Sequence, residues 1–452
     1  MNSSPKFSKI NNTKRWNEGY IIHQKHFSTA DLPDNLKSNI GKYYTPPSLV
    51  KLVGQLVGNY LRPDAVIMDL AAGCGAFLDL FPNHKMIIRD IDSDAVQFLR
   101  ACGYSSAQTD NSLANVNRSK YGLNKDDYLV CIGNPPYNDL TSLVKRKGTN
   151  AKKDIDFEID EDIRSGDLGT SFLRAFAKLD ADVICVLHPL SYLIKEANFK
   201  NRLKNFTMEY ILQEGVIFSS EEFSDTGGSP FPIVAALYLR HWRGMDYDYI
   251  KNFPFKIKDT NELFVLSTYE TIDGYIRKYA SPGNWNQLSD IGLYMHNFRD
   301  LNSLKAVGNL TDKPIPGVTI PVNANEFYKY AYINSLRRYF PKNFRWGNLS
   351  PLVIRNQLEH DIYLQDACII DTIIANQRLT CLSVKVNSPF LQNLAGAFQN
   401  RIYPAGYPDI YTIFNQFYIN GSKHFSALYN FLKQYFENLP NLMEQKVQDR
   451  KE

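Results

Sequence analysis

The sequence predicts an α/β fold: a doubly wound, mostly parallel Rossmann-like sheet with a terminal hairpin, followed by a mixed α/β domain. Two observations carry the prediction. Between residues 47 and 190, short apolar runs alternate with stretches of helical period, the pattern of strands joined by crossover helices. Beyond residue 245 the alternation becomes irregular and Asn, Tyr and Pro become frequent. Residues 1–38 are polar and aperiodic and read as an N-terminal extension, 39–250 as the sheet domain and 251–452 as the second domain.

The elements follow in order. Leu49, Val50, Val53, Leu56, Val57 and Leu61 recur at helical spacing. Thr45 and Pro46 ahead of them form a helix start, with a hydroxyl at the cap and proline in the first turn. Residues 66–70 give the first strand, followed by a glycine-bearing turn and a short helix. Residues 86–91 give the second strand, 93–101 a helix, 107–110 a short third strand and 128–132 a fourth. Residues 171–179 read as a helix and 183–187 as the fifth strand, with apolar runs at 208–218 and 231–239 as the closing hairpin. An insertion at 141–169 carries a basic block from Lys145 to Lys153, then an acidic block from Asp154 to Asp162. With so little apolar content it reads as a mobile surface loop or a lid that orders on a substrate.

Composition bounds the function. A hydrophobic share of 44% in 452 residues is enough for two sizeable cores. The net charge of +4 permits a nucleic-acid partner without requiring one. Cys74, Cys102, Cys131, Cys185, Cys368 and Cys381 include no CxxC pair and no neighbouring His cluster. They read as buried free thiols of a reducing compartment, and no metal site is expected. The first ten residues lack an apolar signal core, and no run approaches the length of a membrane span.

Four short motifs and one further carboxylate, Asp110, carry the chemistry. Tyr44-Thr45-Pro46 precedes the first helix. Asp69, Ala71, Gly73, Gly75 and Phe77 lie in the turn after the first strand, where small residues let the backbone approach a cofactor at the carboxyl ends of the strands. The turn lacks the GxGxxG phosphate fingerprint, which favours a cofactor without a pyrophosphate. Asp90-Ile91-Asp92 ends the second strand about twenty residues after the glycine turn, where a carboxylate can take both ribose hydroxyls of an adenosyl group. Asp110 ends the third strand, as either a turn residue or an acceptor for an adenine amino group. Asn134-Pro135-Pro136-Tyr137 then leaves the fourth strand. Two prolines stiffen that exit, so an amide oxygen, a carbonyl and an aromatic ring can be held around one planar amino-bearing group.

Taken in this order, the set resembles the amino-directed DNA methyltransferases. It is most similar to the adenine-N6 enzymes of type II restriction–modification systems, with the target-recognition domain C-terminal. The resemblance covers about residues 40–240 and includes Asp167-Leu168 with Ser171-Phe172-Leu173, and His188-Pro189-Leu190-Ser191-Tyr192-Leu193. It implies S-adenosyl-L-methionine as cofactor, with no metal, and a methyltransferase sheet. By resemblance, Tyr44, Thr45 and Pro46 meet the methionine part of the cofactor, and Asp69, Ala71, Gly73, Gly75, Phe77 and Ile91 border it. Asp90 holds the ribose and Asp110 the adenine amino group. Asn134, Pro135, Pro136 and Tyr137 form the target pocket, with Asn134 also bordering the cofactor. The chain departs from the family in having Asp69-Leu70 where Asp-Pro is usual. The family stacks a Phe on the far face of the target base, and Phe218 and Phe231 both fit.

The resemblance also implies double-stranded DNA as substrate, a bacterial or archaeal cytoplasm, and a cognate restriction endonuclease on a separate chain. Sequence reading falls to the C-terminal domain, where Arg337, Arg338, Lys342, Arg345 and Arg355 lie in the densest basic-aromatic stretch. An exposed basic face over an aromatic core explains that stretch equally well. Three rivals stand beside this reading: methylation of RNA adenine, methylation of a protein glutamine amide, and an idle methyltransferase fold that only binds DNA. Pro408-Asp409 with Glu444-Gln445-Lys446 loosely matches a nuclease PD…ExK pattern, but its lysine triplet lies in a polar tail.

Overall fold

The computed structural model describes residues 45–137, 158–223, 231–260, 262–269, 272–277, 279–280, 288–297, 310–340, 361–376, 389–421 and 425–448. The chain forms two compact units, Met1–Leu266 and Ser267–Glu452. The N-terminal extension at 1–38 lies outside the described residues.

In the first unit, α1 (Pro47–Gly58) is followed by β1 (Val66–Asp69), a 3-10 turn at Leu78–Leu80, β2 (Lys85–Asp90), α2 (Ser93–Ala101), β3 (Gln108–Thr109) and β4 (Leu129–Gly133). Then come α3 (Leu168–Lys178), β5 (Val183–Pro189), three short helical segments between Ser191 and Glu209, and the hairpin β6 (Tyr210–Ser219) and β7 (Pro232–Arg240). β8 (Phe255–Ile257) and β9 (Leu263–Phe264) complete the unit. The strands form one nine-stranded sheet in the order β3-β2-β1-β4-β5-β7-β6-β8-β9. β3, β2, β1, β4 and β5 run parallel, and β7 lies antiparallel between β5 and β6. This is the doubly wound, mostly parallel sheet with a closing hairpin that the sequence predicts.

Alternation within the strands explains the layers. Ile67, Val130, Ile132, Val183, Cys185 and Leu187 face α1 and pack with its Leu49, Val53, Leu56 and Val57. On the opposite face, Ile88 packs with Val96 and Leu99 of α2. Every residue of β1 and β4 is buried, as a sheet covered on both faces requires. Each fully buried Leu, Ile or Val side chain contributes roughly 1.5–3 kcal/mol. Strand order reverses at β1, which pairs with both β2 and β4. The carboxyl ends of those strands therefore flank the crevice where ligands bind in such sheets.

Two expectations change here. The unit does not end at residue 250: β8 adds parallel to β6 and β9 pairs with β8, so the break falls at Leu266. Short strands with sparse apolar signal hid this extension. The described end of the 141–169 insertion is also anchored rather than loose. Asp160 accepts from the N–H groups of Asn115 and Val116 at 2.7 and 2.8 Å and pairs with Lys178 at 2.9 Å. Residues 138–157, with most of the charge blocks, lie outside the described residues.

The second unit holds a small antiparallel sheet in the order β11-β10-β12, from β10 (Leu293–His296), β11 (Leu310–Thr311) and β12 (Thr319–Val322). Its larger helices are α4 (Phe327–Tyr339), α5 (Ile362–Ala375), α6 (Pro389–Gln399), α7 (Ile410–Asn420) and α8 (Ser426–Gln448). α4, α5 and α8 pack on one another. Asp409 of the nuclease-like pattern caps α7 by accepting from the N–H groups of Tyr411 and Thr412. Among the described residues no helix is long and apolar enough to cross a membrane. Cys131, Cys185 and Cys368 are buried free thiols, whereas Cys74 and Cys102 are only half-buried, and Cys381 lies outside the described residues.

Candidate active site

The turn after β1 divides its glycines by task. Gly73 and Gly75 both sit in the left-handed region, at φ 51° and 83°, where glycine carries no Cβ penalty. A Cβ on Gly75 would stand 2.6 Å from Leu99 and 2.9 Å from Leu78, so this glycine serves packing. A Cβ on Gly73 would meet nothing within 4 Å, so its bare backbone faces open space. Of the two glycines to which the sequence assigned a close approach, only Gly73 leaves room for one.

Asp90 holds that turn in place. Its Oδ2 accepts from the Gly73 N–H at 2.7 Å and its Oδ1 from the Asp92 N–H at 2.8 Å. The sequence reading gave Asp90 only a ligand, whereas the folded carboxylate also ties the glycine turn to the end of β2. Asp92 caps α2 by accepting from the N–H groups of Asp94 and Ala95. Between them, Ile91 is 56% exposed, an apolar side chain left at the crevice. The Asp110 N–H donates to Asp90 O of β2 at 2.9 Å, and its carboxylate pairs with Lys120 at 2.9 Å. Lys120 is a partner that sequence reasoning missed, because it lies ten residues on in a loop without period.

Asp69 ends β1 and is 1% exposed. Its Oδ1 accepts from the Ala71 N–H at 3.1 Å, while its Oδ2 has no hydrogen-bond partner among the described residues. Burial, reinforced by the nearby Asp90 charge, pushes its carboxyl up to about 7, although the Ala71 bond pulls the other way. A Cβ on Gly133 would stand 3.2 Å from Asp69 Oδ1, which places the carboxyl directly beneath the exit of β4. Because the folded-state pKa lies above the carboxylate's ordinary 3.8, the protonated form favours folding. That stabilisation is complete below about pH 4 and is lost as pH rises through 7. Asp69→Asn should therefore raise the melting temperature of the ligand-free protein by a few degrees at pH 8 and leave it nearly unchanged at pH 4. Equal shifts at both pH values in thermal denaturation would contradict a proton on Asp69.

At the exit of β4, the Asn134 amide Nδ2–H donates to Thr45 Oγ1 at 3.2 Å. With its nitrogen on Thr45, the amide presents its oxygen on the other side. Thr45 is buried, and Pro46 rather than Thr45 occupies the cap position of α1. The threonine hydroxyl thus reaches the Asn134 amide, a link that separation of 89 positions conceals in the sequence. Tyr44 lies outside the described residues.

Tyr137 and Phe231 are both half-buried at the rim of the apolar layer that includes α1. Phe231 immediately precedes β7, and because β7 is antiparallel its start lies at the same sheet edge as the end of β5, with Pro189 opposite Ile233. Two hydrogen bonds with Ser220, one from Phe231 N–H to Oγ at 3.0 Å and one from Ser220 N–H to Phe231 O at 2.9 Å, pin its backbone. Phe218 is 1% exposed and packs on Phe223 with ring centroids 6.0 Å apart. Phe77 is likewise sealed in the core. Core packing thus accounts for two aromatic residues that the sequence reading placed at ligands.

Beside the Asn134 exit stands a buried polar set. The Tyr192 hydroxyl donates to Asp167, which also caps α3 through the Thr170 N–H. Tyr192 stacks on His188, with centroids 5.2 Å apart, and His188 Nε2 meets the Tyr238 hydroxyl at 2.6 Å. Burial lifts Asp167 to about 6 and lowers His188 to about 4, so at neutral pH the imidazole is uncharged.

In the second unit, the Arg338 guanidinium pairs with Asp371 of α5, which is fully buried. Arg338 therefore serves the core rather than an exposed face. Arg337 is half-buried, and its Nε has no hydrogen-bond partner among the described residues. Lys342, Arg345 and Arg355 lie outside the described residues.

Comparison with known proteins bears on the first unit. Residues 30–135 match the sequence model of the N-6 DNA Methylase family. No curated protein matches the chain. Among solved structures, the type I restriction–modification methyltransferase subunit from Streptococcus thermophilus is 12% identical, covers 49% of this chain and 50% of its own, and has a TM-score of 0.32. The type I restriction enzyme EcoKI M protein is 14% identical over 47% of this chain and 45% of its own, with a TM-score of 0.32. Magnesium protoporphyrin IX methyltransferase from Synechocystis PCC 6803, with bound S-adenosylmethionine, is 14% identical over 50% of this chain and 94% of its own, at 0.29. The chain thus spans about half the length of the two restriction-system subunits, and scores this low carry no argument about function. Over residues 30–135, a stretch that runs from ahead of α1 to Pro135 at the exit of β4, this chain is thus similar to the N-6 DNA Methylase family.

Proposed function

We propose that this protein transfers a methyl group from S-adenosylmethionine to N6 of an adenine swung out of double-stranded DNA, as the modification enzyme of a restriction–modification system. The observation that carries this reading is the Asn134 amide, oriented by Thr45 at the rigid exit of β4. The residues present fit the cofactor: Gly73 leaves an open cradle, the Asp90 carboxylate stands at the end of β2 for the ribose, and the exposed Ile91 offers an adenine-facing wall. S-adenosylmethionine, when bound, supplies an electrophilic sulfonium methyl.

The chain's own residues do the rest. With Nδ2 committed to Thr45, the Asn134 oxygen accepts an N6–H of the target, and the Pro135 carbonyl accepts the other. Two acceptors draw the exocyclic nitrogen from planar toward tetrahedral and expose its lone pair. They also stabilise the positive charge that develops there, an electrostatic preorganisation. No general base is required, because a protonated arylamine is a strong acid once formed. Unpairing and unstacking the adenine costs a few kcal/mol, offset in part by stacking on Tyr137 and Phe231, each worth roughly 1–3 kcal/mol.

Base-resolution modification sequencing of DNA from cells expressing this chain tests the reading. N6-methyladenine at a defined motif supports it. Unmodified DNA alongside methylated RNA or protein glutamine would replace it with one of its rivals. Stacking has its own test. Tyr137→Ala and Phe231→Ala should each slow methylation by about 10–100-fold, with Tyr137→Phe close to wild type. Phe218→Leu should act on stability alone. A Tyr137→Phe variant as impaired as Tyr137→Ala in single-turnover assays would assign the role to the hydroxyl instead.

A further inference from the structure

We propose that Asp69 is a specificity-determining residue that reads the net positive charge of the methyl donor, ionising when the sulfonium cofactor binds and regaining its proton when the thioether product replaces it. The inference rests on the S-adenosylmethionine reading above and adds to it a discrimination between donor and product.

The geometry comes first. Asp69 is sealed beneath the glycine turn and Gly133, and one of its two oxygens has no hydrogen-bond partner among the described residues. No Lys or Arg pairs with it among the described residues. A buried carboxylate with a single N–H donor is a costly anion, and the group neutralises itself by holding a proton instead. The titratable groups that act on it or respond to it are Asp90 from β2 and Cys131 from β4. Asp90 is a second carboxylate and opposes ionisation further. Cys131 is a fully buried thiol whose titration burial pushes well above the ordinary value, so it stays neutral and contributes no charge. Among the described residues Asp69 has no paired cation.

The methyl donor brings one. With its ammonium and carboxylate offsetting each other, S-adenosylmethionine carries one net positive charge on sulfur, and S-adenosylhomocysteine carries none. Placed beside the Gly73 cradle, that charge lowers the cost of ionising Asp69, so the –COOH gives –COO⁻ and one H⁺ to solvent. Loss of the methyl removes the charge, and the carboxylate takes a proton back. The donor is thereby held by a charge pair that the product cannot make, which favours exchange of product for fresh donor. Near neutrality Asp69 is poised to respond, since its carboxyl titrates at about 7.

Isothermal titration calorimetry tests this with a readout independent of turnover. Each ligand is titrated at pH 6 in buffers of different ionisation enthalpy, where the amino groups of both stay protonated. Binding of S-adenosylmethionine should release most of one proton and that of S-adenosylhomocysteine little or none. Donor affinity should rise toward tenfold per pH unit between pH 5 and 6.5, while product affinity stays flat. Asp69→Asn should abolish the difference in proton release. Because Asp167 also titrates near pH 6, release that persists in Asp69→Asn would overturn the proposal. So would equal release with both ligands in the wild type, a comparison that stands even if the variant fails to fold. If neither ligand binds, the cofactor reading itself falls. If both bind without proton release, only the role of Asp69 falls.

Discussion

Asn134→Ala is expected to reduce methyl transfer on the order of 10²–10³-fold or more, while S-adenosylmethionine binds within a few-fold of wild type. The lower bound follows from what removing one preorganised hydrogen-bonding group costs in comparable sites. In the proposed reaction Asn134 contributes one of the two acceptors for the target amino group, and the remaining one, the Pro135 carbonyl, cannot pyramidalise the nitrogen alone. On the proposed reading cofactor affinity survives because the Gly73 turn and the Asp90 carboxylate that holds it follow β1 and end β2 and are tied to each other, not to the Asn134 side chain. Thr45→Val should fall between mutant and wild type. It removes the hydroxyl that fixes the Asn134 amide at 3.2 Å but leaves the amide itself, so kcat drops while binding of a duplex with a flipped analogue base changes little. Single-turnover methylation paired with calorimetric cofactor binding measures both. Wild-type turnover by Asn134→Ala would remove the assignment, and full activity of Thr45→Val would remove the orienting bond.

That bond marks where the sequence stopped being informative. Period and turn chemistry are local, so α1, β2, α2, β4, β5 and the β6–β7 hairpin were legible from runs such as Leu49-Val53-Leu56 and from the glycine-bearing turn after β1. The glycine turn, Asp-Ile-Asp and Asn-Pro-Pro-Tyr fall at strand ends because the topology requires it, and their order in the chain already implied one crevice. Partnerships across the fold were not legible. Nothing in the chain announces that Thr45 meets Asn134, that Lys120 meets Asp110, or that Asp90 anchors Gly73. Aromatic residues misled in one direction. Phe77 and Phe218 fit a ligand-contact pattern, yet the layer between sheet and α1 takes them, because large apolar area is used first in the core. β8 and β9 escaped because strands of three and two residues carry almost no period.

Arg338→Ala is expected to destabilise the C-terminal unit by about 3–5 kcal/mol, a larger effect than a surface DNA contact would produce. The basic-aromatic run that includes it reads from sequence as a phosphate-binding stretch, but the structure gives its guanidinium a different task. Asp371 is fully buried on α5 and accepts from Arg338, from Tyr339 at 2.8 Å and from Ser335 at 2.7 Å. Burial pushes its carboxyl above the usual range, while Arg338 is the strongest influence pulling it down. Truncating Arg338 removes the only cation paired with Asp371 among the described residues and leaves an uncompensated carboxylate between α4 and α5. Arg337, one residue earlier, makes no such pair among the described residues, and Arg337→Ala should cost well under 1 kcal/mol. The two functions separate in a salt titration. A phosphate contact would lower the slope of log affinity against log salt by about one while leaving stability alone, whereas the core role lowers the denaturation midpoint and leaves the slope of the folded fraction unchanged. Urea denaturation and DNA binding measured on the same Arg338→Ala preparation decide between them, and an unaltered midpoint with a reduced salt slope would return Arg338 to the DNA-facing set.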